Sequence, residues 1–261
     1  MKTVGVDLAA EPARTAMAVL QWDAGIAVLT DLQVGVGDDA IVAAARDATR
    51  IGIDSPFGWP DAFVDFVARH HAGHPPAVEL ATKDHRRPLT KRHTDLVVAD
   101  RTGLMPLSVS ADLIAHVALR CAGLLGQLAA AGVDVGRVNG TTVEVYPAAG
   151  CKLWGLPHKN KKDPTVRADA VAALRNAAPW LDLTKYSNLL TSHHDAFDAV
   201  VAALLARAVA IGATFPPDGA EHAVAEREGW VHVPTVPLSA LTHIVVANSS
   251  SSAVTRSGLP S

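Results

Sequence analysis

The chain is poor in several things that would each announce a class of protein. It has only two cysteines, Cys121 and Cys151, too few for a disulfide framework and not at metal-ligand spacing. No uninterrupted apolar stretch approaches the ~20 residues of a membrane-spanning helix. The N-terminus lacks the charged-then-apolar layout of a secretory signal, because Asp7 and Glu11 interrupt it. Charge of one sign is not in large excess: the net charge is −3, so the chain as a whole is no polycation. There is no internal repeat, and no glycine follows the first apolar run, where Leu8-Ala9-Ala10-Glu11 stands instead. These absences leave a reduced, soluble, cytoplasmic protein as the expectation.

What the chain does have is length and apolar mass. Its 261 residues, 49% of them hydrophobic, suffice for one large α/β domain with an insertion, or for two small ones. Residues 3–8 form an apolar run ending in Asp7, the pattern of a buried strand. Thr15–Leu20 and Ile26–Val34 are β-rich and separated by the hairpin turn Asp23-Ala24-Gly25. Asp38 or Asp39 can cap a helix reaching roughly Thr49, and Ile51–Asp54 then reads as a short buried strand stopped by Ser55-Pro56. The prolines and the basic run of residues 57–109 suggest an irregular insertion over the strand ends. An amphipathic helix follows Ser110, a plausible N-cap, and a fifth strand at Thr141–Tyr146 carries Glu144. Helices are expected over Pro164–Ala177 and from about His193 to Ile211, the latter capped by Ser192. Gly229–Val236 and Leu241–Val246 are candidate short strands. Residues 1–246 would thus form a single domain, and the Ser-rich residues 247–261 a disordered tail.

Carboxylates carry the chemistry. Mg²⁺ takes oxygen ligands and keeps several waters, so its acids must converge from separate elements. If the strand ending at Asp54 lies parallel beside the strand ending at Asp7, the two acids share one sheet edge, the carboxyl edge where α/β proteins place ligands. Each also has a bland reading, a strand-end turn for Asp7 and an Asx turn for Asp54. In Ser192-His193-His194-Asp195-Ala196-Phe197-Asp198 a pair of acids opens the last long helix. Asp195 could serve only the helix dipole. Asp198 lies at the margin of the buried face defined by Phe197, Val201, Leu204 and Leu205, which ranks it above Asp195 as the inward acid. His194, one turn before Asp198, has a supporting role as proton shuttle or outer contact. Glu144 is a further ligand, a residue that holds the basic insertion, or a surface glutamate.

Two basic runs stand out, Lys83–His93 and Lys159–Lys162. A solvated loop is the commoner explanation of such runs, and phosphate binding the functional one. Arg86, Arg87, Lys91, Arg92, Lys161 and Lys162 are the candidate phosphate contacts.

Taken in order, Val4–Leu8, Ile51–Pro56, Arg92-His93-Thr94-Asp95, Glu144–Ala148, His194–Ala199 and Glu228-Gly229-Trp230-Val231 resemble the segments of the bacterial predicted RNase H-like nuclease family long carried as domain of unknown function 429. The resemblance spans about residues 3–236, and Asp195-x-x-Asp198-Ala199 is also similar to the last helix of RuvC-type resolvases. It implies an RNase H-like α/β fold with a mixed five-stranded central sheet in the order 3-2-1-4-5. It also implies a nuclease using Mg²⁺ or Mn²⁺, with Asp7, Asp54 and Asp198 carried over as metal ligands, and Asp195 and Glu144 beside them. Asp95 matches the family pattern without an assigned role.

Three functions follow as expectations. The first is metal-dependent hydrolysis of phosphodiester bonds in nucleic acid, DNA or RNA. The second is an ATP-dependent phosphotransferase of the actin and sugar-kinase type, disfavoured because the turn after the first strand has no glycine to approach a phosphate closely. The third is a non-catalytic scaffold that binds nucleic acid through the basic insertion.

Overall fold

The computed structural model describes residues 1–76 and 79–242. Its centre is a mixed sheet. β1 (Lys2–Asp7), β2 (Ala16–Asp23) and β3 (Ile26–Val34) form an antiparallel meander, and β4 (Arg50–Asp54) and β5 (Thr142–Val145) continue it in parallel on the other side of β1. The sheet has seven strands rather than the five expected. The run 3-2-1-4-5 is extended by two-residue strands, β6 (Leu181–Asp182) beside β3 and β7 (Val231–His232) beside β5. These edge strands are too short to carry an alternation signal, which is why the sequence pattern does not reveal β6 at all.

The β2–β3 connection is a two-residue hairpin in which Ala24 and Gly25 both have positive φ, 43° and 85°. That is the primed-turn geometry whose twist matches the flanking strands.

Helices cover both faces. α1 (Asp38–Ala45) and α5 (Ile114–Ala130) pack over Val4, Val6, Ile51 and Ile53. On the opposite face lies α9 (His194–Ala210), a helix buried almost all round. Its contact with the sheet is unusually close. A Cβ on Gly5 would sit 2.1 Å from the Ala199 carbonyl oxygen, and one on Gly52 would sit 2.4 Å from that of Ala202. Only glycine on the central strands and alanine on the helix allow the two backbones to meet this way. α6 (Pro147–Leu153), α7 (Pro164–Ala177) and α8 (Ser187–Ser192) complete this side.

Other expectations need correction. The 57–109 segment is not irregular: it contains α2 (Asp61–His71), α3 (Lys83–Thr90) and α4 (His93–Thr102). Pro60 and Pro88 mislead there because Pro60 sits at the N-cap of α2, and Pro88 is accommodated in the short, exposed α3. Ser110 is not the cap of α5, which begins four residues later; its hydroxyl donates to the Leu89 carbonyl at 2.6 Å. Ser192 ends α8, and His193 takes the N-cap position of α9. α10 (His222–Glu228) precedes β7. Leu241 lies in a 3-10 turn, Leu238–Thr242, and the rest of the proposed last strand, with the tail, lies outside the described residues.

Candidate metal centre

Parallel pairing sets Asp7 directly beside Asp54 in the β1–β4 register. Side chains alternate along a strand, so Asp7 shares the face of Gly5, and Asp54 that of Gly52. Both glycines meet α9. The same close approach brings the first turn of α9, with Asp195 and Asp198, to the edge where β1 and β4 end. Asp7, Asp195 and Asp198 open onto one cleft of about 710 Å³, lined also by Lys161, Lys162 and His194, while Asp54, beside Asp7 in the register, lines a second pocket with Tyr146 and Glu144.

The acids fall into two groups. Ligand atoms of Asp7, His194 and Asp195 all lie within 4.8 Å of one another. His194 Nδ1 is 2.5 Å from Asp195 Oδ1, which orients the ring. Asp198 is instead ion-paired with the Lys161 ammonium. Both acids reach the cleft, Asp195 beside Asp7 and His194, and Asp198 against Lys161. Three residues apart on a helix, they share a side. Because α9 is buried almost all round, its apolar stripe cannot tell the two apart.

Burial, more than any single neighbour, pushes Asp7, Asp54 and Asp198 toward the protonated form. Asp7 is raised well above the usual carboxylate range by desolvation, then by the charges of Asp54, Asp198 and Asp195, with Lys161 opposing. Asp54 is pushed up to about 8 by desolvation and then by Asp198, again with Lys161 opposing. Asp198 is raised by desolvation although Lys161 pulls it down. Buried acids facing acids are costly unless a cation joins them.

Two further groups belong to this edge. Tyr146, just past β5, has its phenol pushed up by burial and then by the charge of Asp54. Its position at a strand end was the available signal. Lys161 was expected as a phosphate contact, but it is buried against Asp198, with nothing in the sequence to mark it. Lys162 is exposed at the rim. Arg86 and Arg87 stand on α3, which packs on α2 away from the cleft lining; Arg86 is turned to the carbonyls of Leu80 and Ala81. Lys91 Nζ donates to the Pro106 carbonyl at 2.5 Å. Cys121 and Cys151 are buried thiols, each pushed up to about 12 by desolvation, and so offer no thiolate.

Glu144 and Arg92 belong elsewhere. Glu144 pairs with Ile53, and so points to the α5 face of the sheet, opposite to Asp7 and Asp54, although its charge still reaches Asp54 and raises its pKa. There the Arg92 guanidinium, 2% exposed, donates to both Glu144 oxygens at 2.7 and 2.9 Å and to Asp95 at 2.9 Å. It also donates to the Glu228 carbonyl at 3.1 Å. The amide of Phe57 donates to Glu144, and those of Asp61 and His93 donate to the Glu228 carboxylate. Val231 N–H donates to Thr94 Oγ1. Burial alone would lower Arg92's pKa, but Glu144 and Asp95 hold it above the usual guanidinium value. Arg92 is thus not a surface phosphate contact, and Asp95 and Glu144 are not in the acid cluster. The Arg92–Asp95 segment, Glu144 and Glu228 form a buried knot that fastens the helical insertion to the sheet.

Fold and site together define an α/β protein with a carboxylate-lined cleft at the carboxyl edge of a mixed sheet. The chain belongs to the family described as a protein of unknown function (DUF429), which matches residues 5–222. No curated protein and no solved structure matches the chain. No helix among the described residues is long and apolar enough to cross a membrane.

Proposed function

We propose that this cleft binds Mn²⁺ or Mg²⁺ and hydrolyses phosphodiester bonds of nucleic acid on an RNase H-like fold, in the cytoplasm. The observation that carries this reading is Asp7 and Asp54 side by side at adjacent strand ends, facing the acid-bearing start of α9. The antiparallel β1–β3 meander followed by parallel β4 and β5 supports the RNase H-like assignment.

The donor set fits such an ion. Carboxylate oxygens suit Mg²⁺ and Mn²⁺, and the single imidazole of His194 tilts the choice toward Mn²⁺. Asp7, Asp195 and His194 would hold it, with Asp54 and Asp198 adjoining. A bound divalent ion supplies activation of a water and charge stabilisation at phosphorus. The chain's own groups do the rest. Asp195 fixes the His194 ring. The N-terminus of α9 adds a positive dipole end near an incoming phosphate. Lys162 at the rim is placed to meet a flanking phosphate, and the exposed Arg87 on α3 can meet a longer strand.

A panel of RNA, DNA and branched substrates incubated with Mn²⁺ tests the reading. Cleavage that Asp7→Asn abolishes is expected, whereas activity surviving that change overturns the mechanism. Thermal stabilisation by Mg-ATP but not by Mn²⁺ alone would point to phosphotransfer instead, and absence of any metal binding to a scaffold.

A further inference from the structure

Lys161 is held in place by more than its ion pair. It follows Asn160, whose φ of +57° turns the chain sharply. The carbonyls of Lys161 and Lys162 accept from Arg167 Nη1 at 3.1 and 3.3 Å, while Arg167 Nε donates to the Thr191 carbonyl at 2.6 Å. Arg167, on α7, is itself buried, 6% exposed. One guanidinium therefore ties the lysine turn to the end of α8, directly before the acids of α9. The Lys161 side chain, 9% exposed, places its ammonium on Asp198 and 5.3 Å from the centre of the Phe197 ring.

We infer that Lys161 is a built-in cation occupying the Asp54–Asp198 half of the acid cluster, so that the centre takes one divalent ion, at Asp7, His194 and Asp195, rather than two. This rests on the metal reading of the cleft and specifies it. Two-ion sites place the second ion about 4 Å from the first to neutralise the remaining acids. Here an ammonium already meets Asp198 at direct contact. The charged groups facing it are Asp198, Asp54 and Asp7 across the cleft, with Asp195 and His194 on the same helix. Lysine suits this place because its compact charge sits on an apolar stem that can remain buried. A second divalent ion would have to evict an ammonium whose backbone is pinned.

Mn²⁺ titration of the purified full chain, read by calorimetry and by electron paramagnetic resonance of free Mn²⁺, tests the inference without reference to activity. Wild type should take up one equivalent. Lys161→Met, which keeps the stem and removes the charge, should take up a second, while Lys161→Arg should remain at one. Two equivalents on wild type, or a single equivalent on a folded Lys161→Met, overturn the inference but leave the metal reading standing. No uptake by wild type overturns both. Should Lys161→Met fail to fold by circular dichroism, Lys161→Gln, which also removes the charge, takes its place: a second equivalent supports the inference and a single one overturns it.

Discussion

The two faces of one sheet edge treat buried acids in opposite ways. On the α5 face, Glu144 has every oxygen occupied by Arg92 and the Phe57 amide, and its neighbour Asp95 is likewise bonded by Arg92. On the α9 face, Asp7, Asp54, Asp195 and Asp198 are gathered with the Lys161 ammonium on Asp198 and the His194 ring on Asp195. Burial raises Glu144 on one face and Asp7, Asp54 and Asp198 on the other, so a raised carboxyl pKa alone does not distinguish the faces. What distinguishes them is hydrogen-bond completeness. An acid whose lone pairs are filled by fixed donors is part of the framework, and acids left facing acids are available to a ligand.

The comparison breaks most sharply at Arg92. Arg92→Ala strands Glu144 and Asp95 without their counter-charge, and should cost about 3–5 kcal/mol in urea unfolding. If the loss is under about 1 kcal/mol, the knot is not the framework element described, since that is the range of an exposed pair. The next largest effect is expected at Gly229, whose φ is +92° and where a Cβ would stand 2.7 Å from Glu144 Oε2. Gly229→Ala should cost roughly 1–3 kcal/mol, with Mn²⁺ uptake by the folded fraction unchanged.

The acid cluster should respond with the opposite sign. Asp7→Asn removes one of the mutually repelling carboxylates, so the metal-free protein should gain about 1 kcal/mol, while its thermal stabilisation by Mn²⁺ disappears. A loss of metal-free stability would mean that Asp7 is structural. The pH dependence follows from the same repulsion. Asp54 holds its proton up to about 8, against 3.8 for an unhindered carboxyl. The folded state thus binds more protons than the unfolded one between those values. Its contribution is complete below about 4 and fades as pH rises through 8. Thermal unfolding of the metal-free protein should therefore fall across that window, more gently in Asp54→Asn, while the Mn²⁺-induced shift grows. The smallest effect belongs to Arg86 and Arg87, exposed on α3: changing both to Ala should leave stability within about 0.5 kcal/mol and alter only the salt dependence of nucleic-acid binding.

Much of this was legible in the chain because it depends on local pattern. Asp7 and Asp54 could be paired because each closes an apolar run, and parallel strands of similar length end together. The hairpin at Ala24-Gly25 and helix α7 were equally clear, one from its turn residues and the other from flanking prolines. Glu144 shows where local pattern stops. Alternation says it opposes Val143 and Val145, but only the β4–β5 register says that Asp54 lies on the other face. The division of Asp195 and Asp198 between His194 and Lys161 is not legible, because a helix buried almost all round has little polar face to calibrate its phase. Lys161 was illegible for a further reason: a turn residue acquires its direction from a tertiary tether, here Arg167, that no spacing rule encodes.

The contact of Gly5 and Gly52 with α9 has a consequence for variation. Elsewhere a helix rests on a sheet through side chains, which can be exchanged and repacked. Here the spacer is the main chain itself, so the distance between strand ends and helix start is ruled by atoms every residue shares. A single methyl at position 5 or 52, well below the cleft, would lever α9 outward and carry Asp195 and Asp198 with it. Substitutions at these two inner glycines should thus act as dials on the spacing of acids they never touch.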